Sequence, residues 1–405
     1  MVNSREVSGR VRLDYLDGLR GVAALVVVVF HFFSAYLPAA IPAETPRPWR
    51  VSDTPVGILY NGLFSVIVFF VLSGFLVSNS AAKKKDPLLL NLALRYTRLA
   101  LPATASVLWA WLLLMLLPNK ATELSRLIPH VWLHFTYQGK IPGLYSEFSE
   151  GLAHIFTAGS SLVNNVLWTM KIELIGSCFI YILYSIARGR MLLRALILLA
   201  LILPAVHQTI YEGFVFGAIL MELWAADRLR AFFPIPFFAL GALLGSVSQG
   251  FHSRMHLPHM PHLFTIGDKE GILYAIGAAM IVYGCLTSSK LQALFSIFPA
   301  RFLGRTSFCL YLFHVPLLYT VFAAIYVAQA PVTPGVLAAM FLIFVCVSVR
   351  IAYLGTLMVD EPVLRLNAGV RRMVRDRISA REPRFPRSNE RTSNDRSRWL
   401  RDDKQ

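Results

Sequence analysis

The chain has 405 residues, of which 56% are hydrophobic and 15% charged, with a mean hydropathy of +0.57. A soluble domain is about a quarter charged, so this composition excludes a soluble globular protein, and with it a disordered, collagenous or disulfide-stapled chain. The net charge of +16 would suit nucleic acid, but its placement along the chain gives it another meaning, and no nucleic-acid partner is expected.

A membrane crossing needs roughly 20 apolar residues. Ten stretches meet that length, near 21–40, 56–78, 99–118, 166–187, 191–207, 211–226, 233–249, 271–288, 307–328 and 335–357. In lipid the backbone has to satisfy its own hydrogen bonds, so runs this long are helices. The first run lacks the small-residue pattern of a cleaved signal peptide. With the N-terminus in the cytoplasm, thirty of the 39 lysines and arginines fall on the cytoplasmic side and seven outside, with Lys171 and Arg350 inside spans. The excess charge is thereby the bias that orients membrane proteins. The chain reads as all-α, a multi-pass bundle of about ten transmembrane helices with both termini cytoplasmic and the lipid bilayer as a partner. Residues 1–12 form a cytoplasmic tail, 13–362 the transmembrane domain, and 363–405 a basic, Ser-rich tail expected to be disordered. Cys178, Cys285, Cys309 and Cys346 lie in apolar runs without CxxC spacing and read as packing residues. No internal repeat is visible, and nothing in the sequence fixes the oligomeric state.

Ionisable groups inside spans are costly and point to function. Arg20 and His31, on the first span, are 11 residues apart, which is about 20° past three full turns. They share one face, about 16 Å apart along the axis. Arginine grips phosphate through its planar fork, and histidine takes a proton near neutral pH. A snorkelling arginine and a hydrogen-bonded core histidine are the plainer alternative. In the second span, Ser73 and Gly74 allow close helix approach. Arg95 and Arg98 lie one turn apart at the cytoplasmic start of the third, as a second phosphate clamp or as a membrane anchor. The fourth span holds Trp168, Lys171 and Glu173. Lys171 and Glu173 do not meet across two positions, so Glu173 needs a partner on another helix or a proton. His31 is one candidate partner, and a structural interhelical bond is the alternative. Tyr311 and His314 share a face of the ninth span, and Asp360 and Glu361 end the last one. His252, His256, His259 and His262 stand in an external loop with no acidic residue or cysteine among them, and no metal site is expected. No glycosylation acceptor is present.

Together these residues resemble the acyltransferase 3 family of integral-membrane acyltransferases over about 13–365. The opening Leu16-Asp-Gly-Leu-Arg-Gly21 with Arg20 and His31 looks like its first span, and Phe69-Phe-Val-Leu-Ser-Gly-Phe75 like its second. Arg95, Arg98 and Pro102 are similar to its basic patch, Trp168-Thr-Met-Lys-Ile-Glu173 to its tryptophan–glutamate motif. Leu303 to Pro316, with Tyr311 and His314, looks like its late histidine segment. Two departures stand out: Phe308 where the family often carries tyrosine, and Lys171 inside the glutamate motif. The opening and Lys171 look more like fungal members.

The resemblance implies transfer of an acyl group, usually acetyl, from cytoplasmic acyl-CoA as co-substrate to the hydroxyl of a secondary metabolite, lipid or sugar. No permanently bound cofactor is expected. Arg20, Arg95 and Arg98 would hold the phosphates, and His31 would act as general base, steadied by Glu173. Ser73, Trp168, Tyr311 and His314 would line the substrate pocket. The short basic tail leaves no room for the esterase-like domain fused to some members, which favours a small acceptor. A multi-span exporter of a small amphipathic solute is the competing expectation.

Overall fold

The computed structural model describes residues 13–37, 55–83, 86–128, 141–202, 211–246 and 271–381, and these are helical with no strand among them. In chain order the helices are α1 (Asp14–Tyr36), α2 (Gly62–Lys83), α3 (Leu88–Leu116), α4 (Lys120–Leu127) and α5 (Leu144–Ser149). A π turn at Glu150–His154 and a last turn at Ile155–Thr157 prolong α5. There follow α6 (Trp168–Ile186), α7 (Met191–Ile202), α8 (Glu212–Ala225), α9 (Pro234–Ser246), α10 (Gly271–Thr287), α11 (Ser289–Phe295) and α12 (Phe298–Leu317). The remainder is α13 (Ala323–Ala328), α14 (Pro334–Gly355) and α15 (Glu361–Arg381).

Six helical stretches are long and apolar enough to cross a membrane, those built on α1, α2, α3, α6, α12 with α13, and α14. The other four expected spans fall on the shorter α7, α8, α9 and α10. Each of these four borders residues outside the described set, at 203–210 or 247–270. The histidine-rich loop expected on the external side also lies outside the described residues.

The core is set by α1 lying against α12. A Cβ on Gly21 would stand 2.3 Å from the Gly304 nitrogen, and one on Gly304 would stand 2.2 Å from the Asp17 carbonyl. Without side chains at these points the two backbones touch. The pairings then advance together along the two chains: Arg20 to Ser307, His31 to His314, Tyr36 to the Leu318 carbonyl. The helices therefore run in the same direction. Gly74 does for α2 what Gly21 does for α1, since a Cβ there would meet the Phe214 carbonyl of α8 at 2.3 Å.

Before α6 begins, the chain folds back alongside α3. Gly151 packs on Thr104, the Tyr96 hydroxyl donates to the Leu152 carbonyl, and the Asn164 amide donates to Ser106 Oγ and the Leu312 carbonyl. Lys171 of α6 donates to the Thr157 carbonyl at 2.6 Å, which caps the α5 extension. At the other end of the chain, residues 361–381 are helical where a disordered tail was expected from 363. Helix α15 is held because Asn367 donates to the Leu94 carbonyl and accepts from Thr97, while Arg371 and Arg375 both pair with Asp86. Residues 382–405 lie outside the described set.

Candidate active site

One cavity of about 540 Å³ opens between α2, α3, α6, α12 and α15. Arg20, Arg95 and Arg98 line it together, so residues from two helices, 75 positions apart in the chain, meet on one space. Arg305, paired with Glu361, and Arg371, paired with Asp86, add two more guanidiniums, while Glu173 and Asp360 supply carboxylates. The inner end is apolar and aromatic, made by Phe69, Phe70, Phe308 and Tyr311 beside Thr169 and Met170.

Each inner arginine is held in place by neighbours. Arg20 donates through Nε to Ser307 Oγ at 3.0 Å and through Nη2 to the Gly304 carbonyl at 3.2 Å, and pairs with Asp17 at 3.0 Å. Arg98 makes a two-pronged pair with Asp360 and lies 4.9 Å over the Phe308 ring. The Phe308 ring supplies a face for this cation, as a tyrosine there would. Arg95 donates to Ser177 Oγ at 2.9 Å, to Ser73 Oγ at 3.2 Å and to Glu173 Oε1, and Ser73 donates to the same carboxylate oxygen.

Glu173 is therefore the partner of Arg95 and Ser73, and the structure does not bring it to His31. The reason is depth and charge. Glu173 lies one turn beyond Thr169, whose hydroxyl meets Tyr311 at the cavity floor, and at that depth a guanidinium within reach binds a carboxylate more strongly than a neutral ring would. The partner of His31 is instead His314. His31 Nδ1 stands 2.9 Å from His314 Nε2, and His314 Nδ1 stands 2.8 Å from the Leu310 carbonyl. A carbonyl only accepts, so His314 carries its proton on Nδ1. Its Nε2 is then an acceptor, and His31 Nδ1 is the donor. His31 also bonds the Val27 carbonyl; with both rings neutral and its proton on Nδ1, the nitrogen able to take a proton is Nε2.

The imidazole pair sits one turn past Tyr311, with the Tyr311 and His314 rings 6.3 Å apart. His31, His314 and Trp168 are not among the residues that line the cavity. Tyr311 forms the floor between: its hydroxyl donates to the Val166 carbonyl at 2.9 Å and accepts from Thr169 at 3.0 Å, and its ring meets Phe69 edge-on.

Arg305, Arg371 and the pairing role of Asp360 were not visible as site features in the sequence. For Arg371 the available signal was spacing: Leu364, Asn367, Ala368 and Arg371 are i, i+3, i+4 and i+7, one stripe of a helix. Away from the cavity, on α5, Glu147 is buried with neither carboxylate oxygen hydrogen-bonded. Burial, with Glu150 beside it, pushes its carboxyl up to about 7.

No match is found among curated proteins or among solved structures. A family model described as an acyltransferase domain matches residues 13–353, which takes in Arg20, His31, Ser73, Arg95, Arg98, Trp168, Glu173, Tyr311 and His314. Ordered as they are along helices that suit a membrane, these residues place the chain in the acyltransferase 3 family, as a membrane acyltransferase.

Proposed function

We propose that the protein is a multi-pass membrane O-acyltransferase that moves an acyl group, acetyl in the simplest case, from cytoplasmic acyl-CoA to a hydroxyl of a small acceptor. The observation that carries this reading is the meeting of Arg20, Arg95 and Arg98 on one cavity. A polyanion with a thin acylated arm fits a space that is cationic along its walls and apolar at its inner end. The phosphates would share the arginines with Asp17, Glu173 and Asp360, and the arm would lead inward toward His31.

In the transfer step, His31 Nε2 takes the proton of the acceptor hydroxyl as its oxygen bonds to the thioester carbonyl carbon. The carbon–sulfur bond then breaks, and the leaving thiolate receives that proton from the imidazolium, so no net proton is gained or lost. His314 accepts from His31 Nδ1–H and holds the ring in the reactive tautomer. The arm reaches His31 only if Tyr311 gives way, which costs its hydrogen bonds to Val166 and Thr169.

Two variants test this in detergent-purified protein. H31A is expected to abolish ester formation, by at least about a hundredfold, while acetyl-CoA still raises the thermal midpoint. R20A is expected chiefly to weaken that thermal shift. Turnover equal to the parent in both variants would refute the assignment. Absence of any shift with acetyl-CoA in the parent would favour a transporter of an unrelated solute.

A further inference from the structure

Helix α15 lies wholly beyond the residues that the family model matches, which end at 353. Yet its stripe of Leu364, Asn367, Ala368 and Arg371 forms one wall of the cavity. It is fixed there at three levels. Asp360, at its start, pairs with Arg98. Asn367 bonds Leu94 and Thr97 of α3. Asp86, with a side chain only 2% exposed, pairs with both Arg371 and Arg375. Of these two arginines only Arg371 faces the cavity; the Arg375 side chain is 54% exposed.

The cavity therefore has two tiers of guanidinium. Arg20, Arg95 and Arg98 form the inner tier. Arg305, paired with Glu361, stands beside them, and Arg371 forms the outer tier, eleven residues or about 16 Å along α15 from Asp360. Acyl-CoA likewise carries its anionic groups in two places, a diphosphate in the middle and a phosphomonoester on the ribose at its far end. We propose, resting on the acyl-CoA reading above, that Arg371 binds the ribose phosphomonoester of the donor, and that α15 makes the site selective for donors that carry it. The inner tier then takes the diphosphate. The Asp86 carboxylate holds the Arg371 fork at the wall, and the phosphomonoester shares it through charge-assisted hydrogen bonds.

The test uses the full chain in nanodiscs of phosphatidylcholine, a neutral lipid, and two probes: CoA and 3′-dephospho-CoA. The parent is expected to bind CoA about tenfold more tightly. R371Q is expected to bind the two with equal affinity, with its affinity for 3′-dephospho-CoA unchanged. R375Q removes the other arginine from Asp86 without touching the cavity, and is expected to keep the parent ratio. Each ratio is internal to one preparation, so a partly folded variant does not alter it. An unchanged ratio in R371Q, or an equal loss of the ratio in R375Q, overturns the proposal. A parent that binds both probes equally overturns it while leaving the acyl-CoA reading in place. A parent that binds neither overturns both. If the ratio arises only when anionic lipid is added, the cation on α15 reads the bilayer and the proposal fails.

Discussion

In the proposed mechanism His314 helps to set which nitrogen of His31 is reactive, through a chain of hydrogen bonds that begins at a backbone carbonyl. The Leu310 carbonyl fixes the His314 proton on Nδ1, His314 Nε2 and the Val27 carbonyl both offer His31 an acceptor, and in the proposed mechanism His31 Nε2 is the base. H314A should lower kcat by about tenfold or more with the donor KM unchanged, because the ring loses its side-chain acceptor at Nδ1 but the phosphate contacts remain. H314Q places an amide oxygen that accepts from Nδ1–H, and should recover part of the loss. Steady-state kinetics with acetyl-CoA separate this from a packing defect, which would move both variants alike. That Arg20 and His31 share the face of α1 turned toward α12 was legible in the sequence, because helical periodicity is a property of one segment, although only Arg20 lines the cavity. The partner of Glu173 was not. Periodicity says which face a carboxylate is on, while the neighbour across that face depends on how α2, α3 and α6 are stacked, which is settled by contacts such as Gly74 on Phe214.

Among the elements, six of the ten apolar runs correspond, among the described residues, to helices long and apolar enough to cross a membrane, because lipid leaves the backbone no alternative. The fold-back of α5 and its extension was invisible for the opposite reason. It is short and carries Glu147, Glu150 and His154, so no hydropathy window marks it. Lys171 is the link between the two. It stands inside a span, where a cation is costly, yet its ammonium reaches the Thr157 carbonyl at the end of the α5 extension. Gly159, at φ +76°, turns the chain directly over the Lys171 stem. A cation at a helix C-terminus is worth about 0.3–1 kcal/mol. K171M should therefore lower the thermal midpoint modestly and leave acetyl-CoA binding intact, while K171R should match the parent. Differential scanning fluorimetry with and without acetyl-CoA reads both effects. A lost acetyl-CoA shift in K171M would instead mean that the lysine serves the donor. Helix α15 was the other element that composition concealed. Its arginines read as a solvated tail until Asp86, nearly 300 positions away, is seen to hold two of them.

For the molecule as a whole, the cavity opening and the charge bias point to the same side. That end of the cavity is walled by α15 and by the first turns of α3, with Arg95 and Arg98. In the topology that the lysine and arginine distribution favours, that is the cytoplasmic side, and it is also the side of the C-terminal tail. A CoA ester is too highly charged to cross a bilayer unaided, so the site should be served from that side alone. Protein reconstituted into sealed vesicles inserts in both directions, and protease removal of a tag placed after residue 405 reports the fraction with the tail outward. With acetyl-CoA supplied only outside, acyl transfer should scale with that fraction across preparations. Detergent should then release the activity of the inward-facing remainder. Transfer that scales with the tail-inward fraction would put the arginine-lined opening on the far side of the membrane and reverse the topology, although the fold would stand. Transfer independent of orientation would mean that the donor reaches the imidazoles by a route other than this cavity.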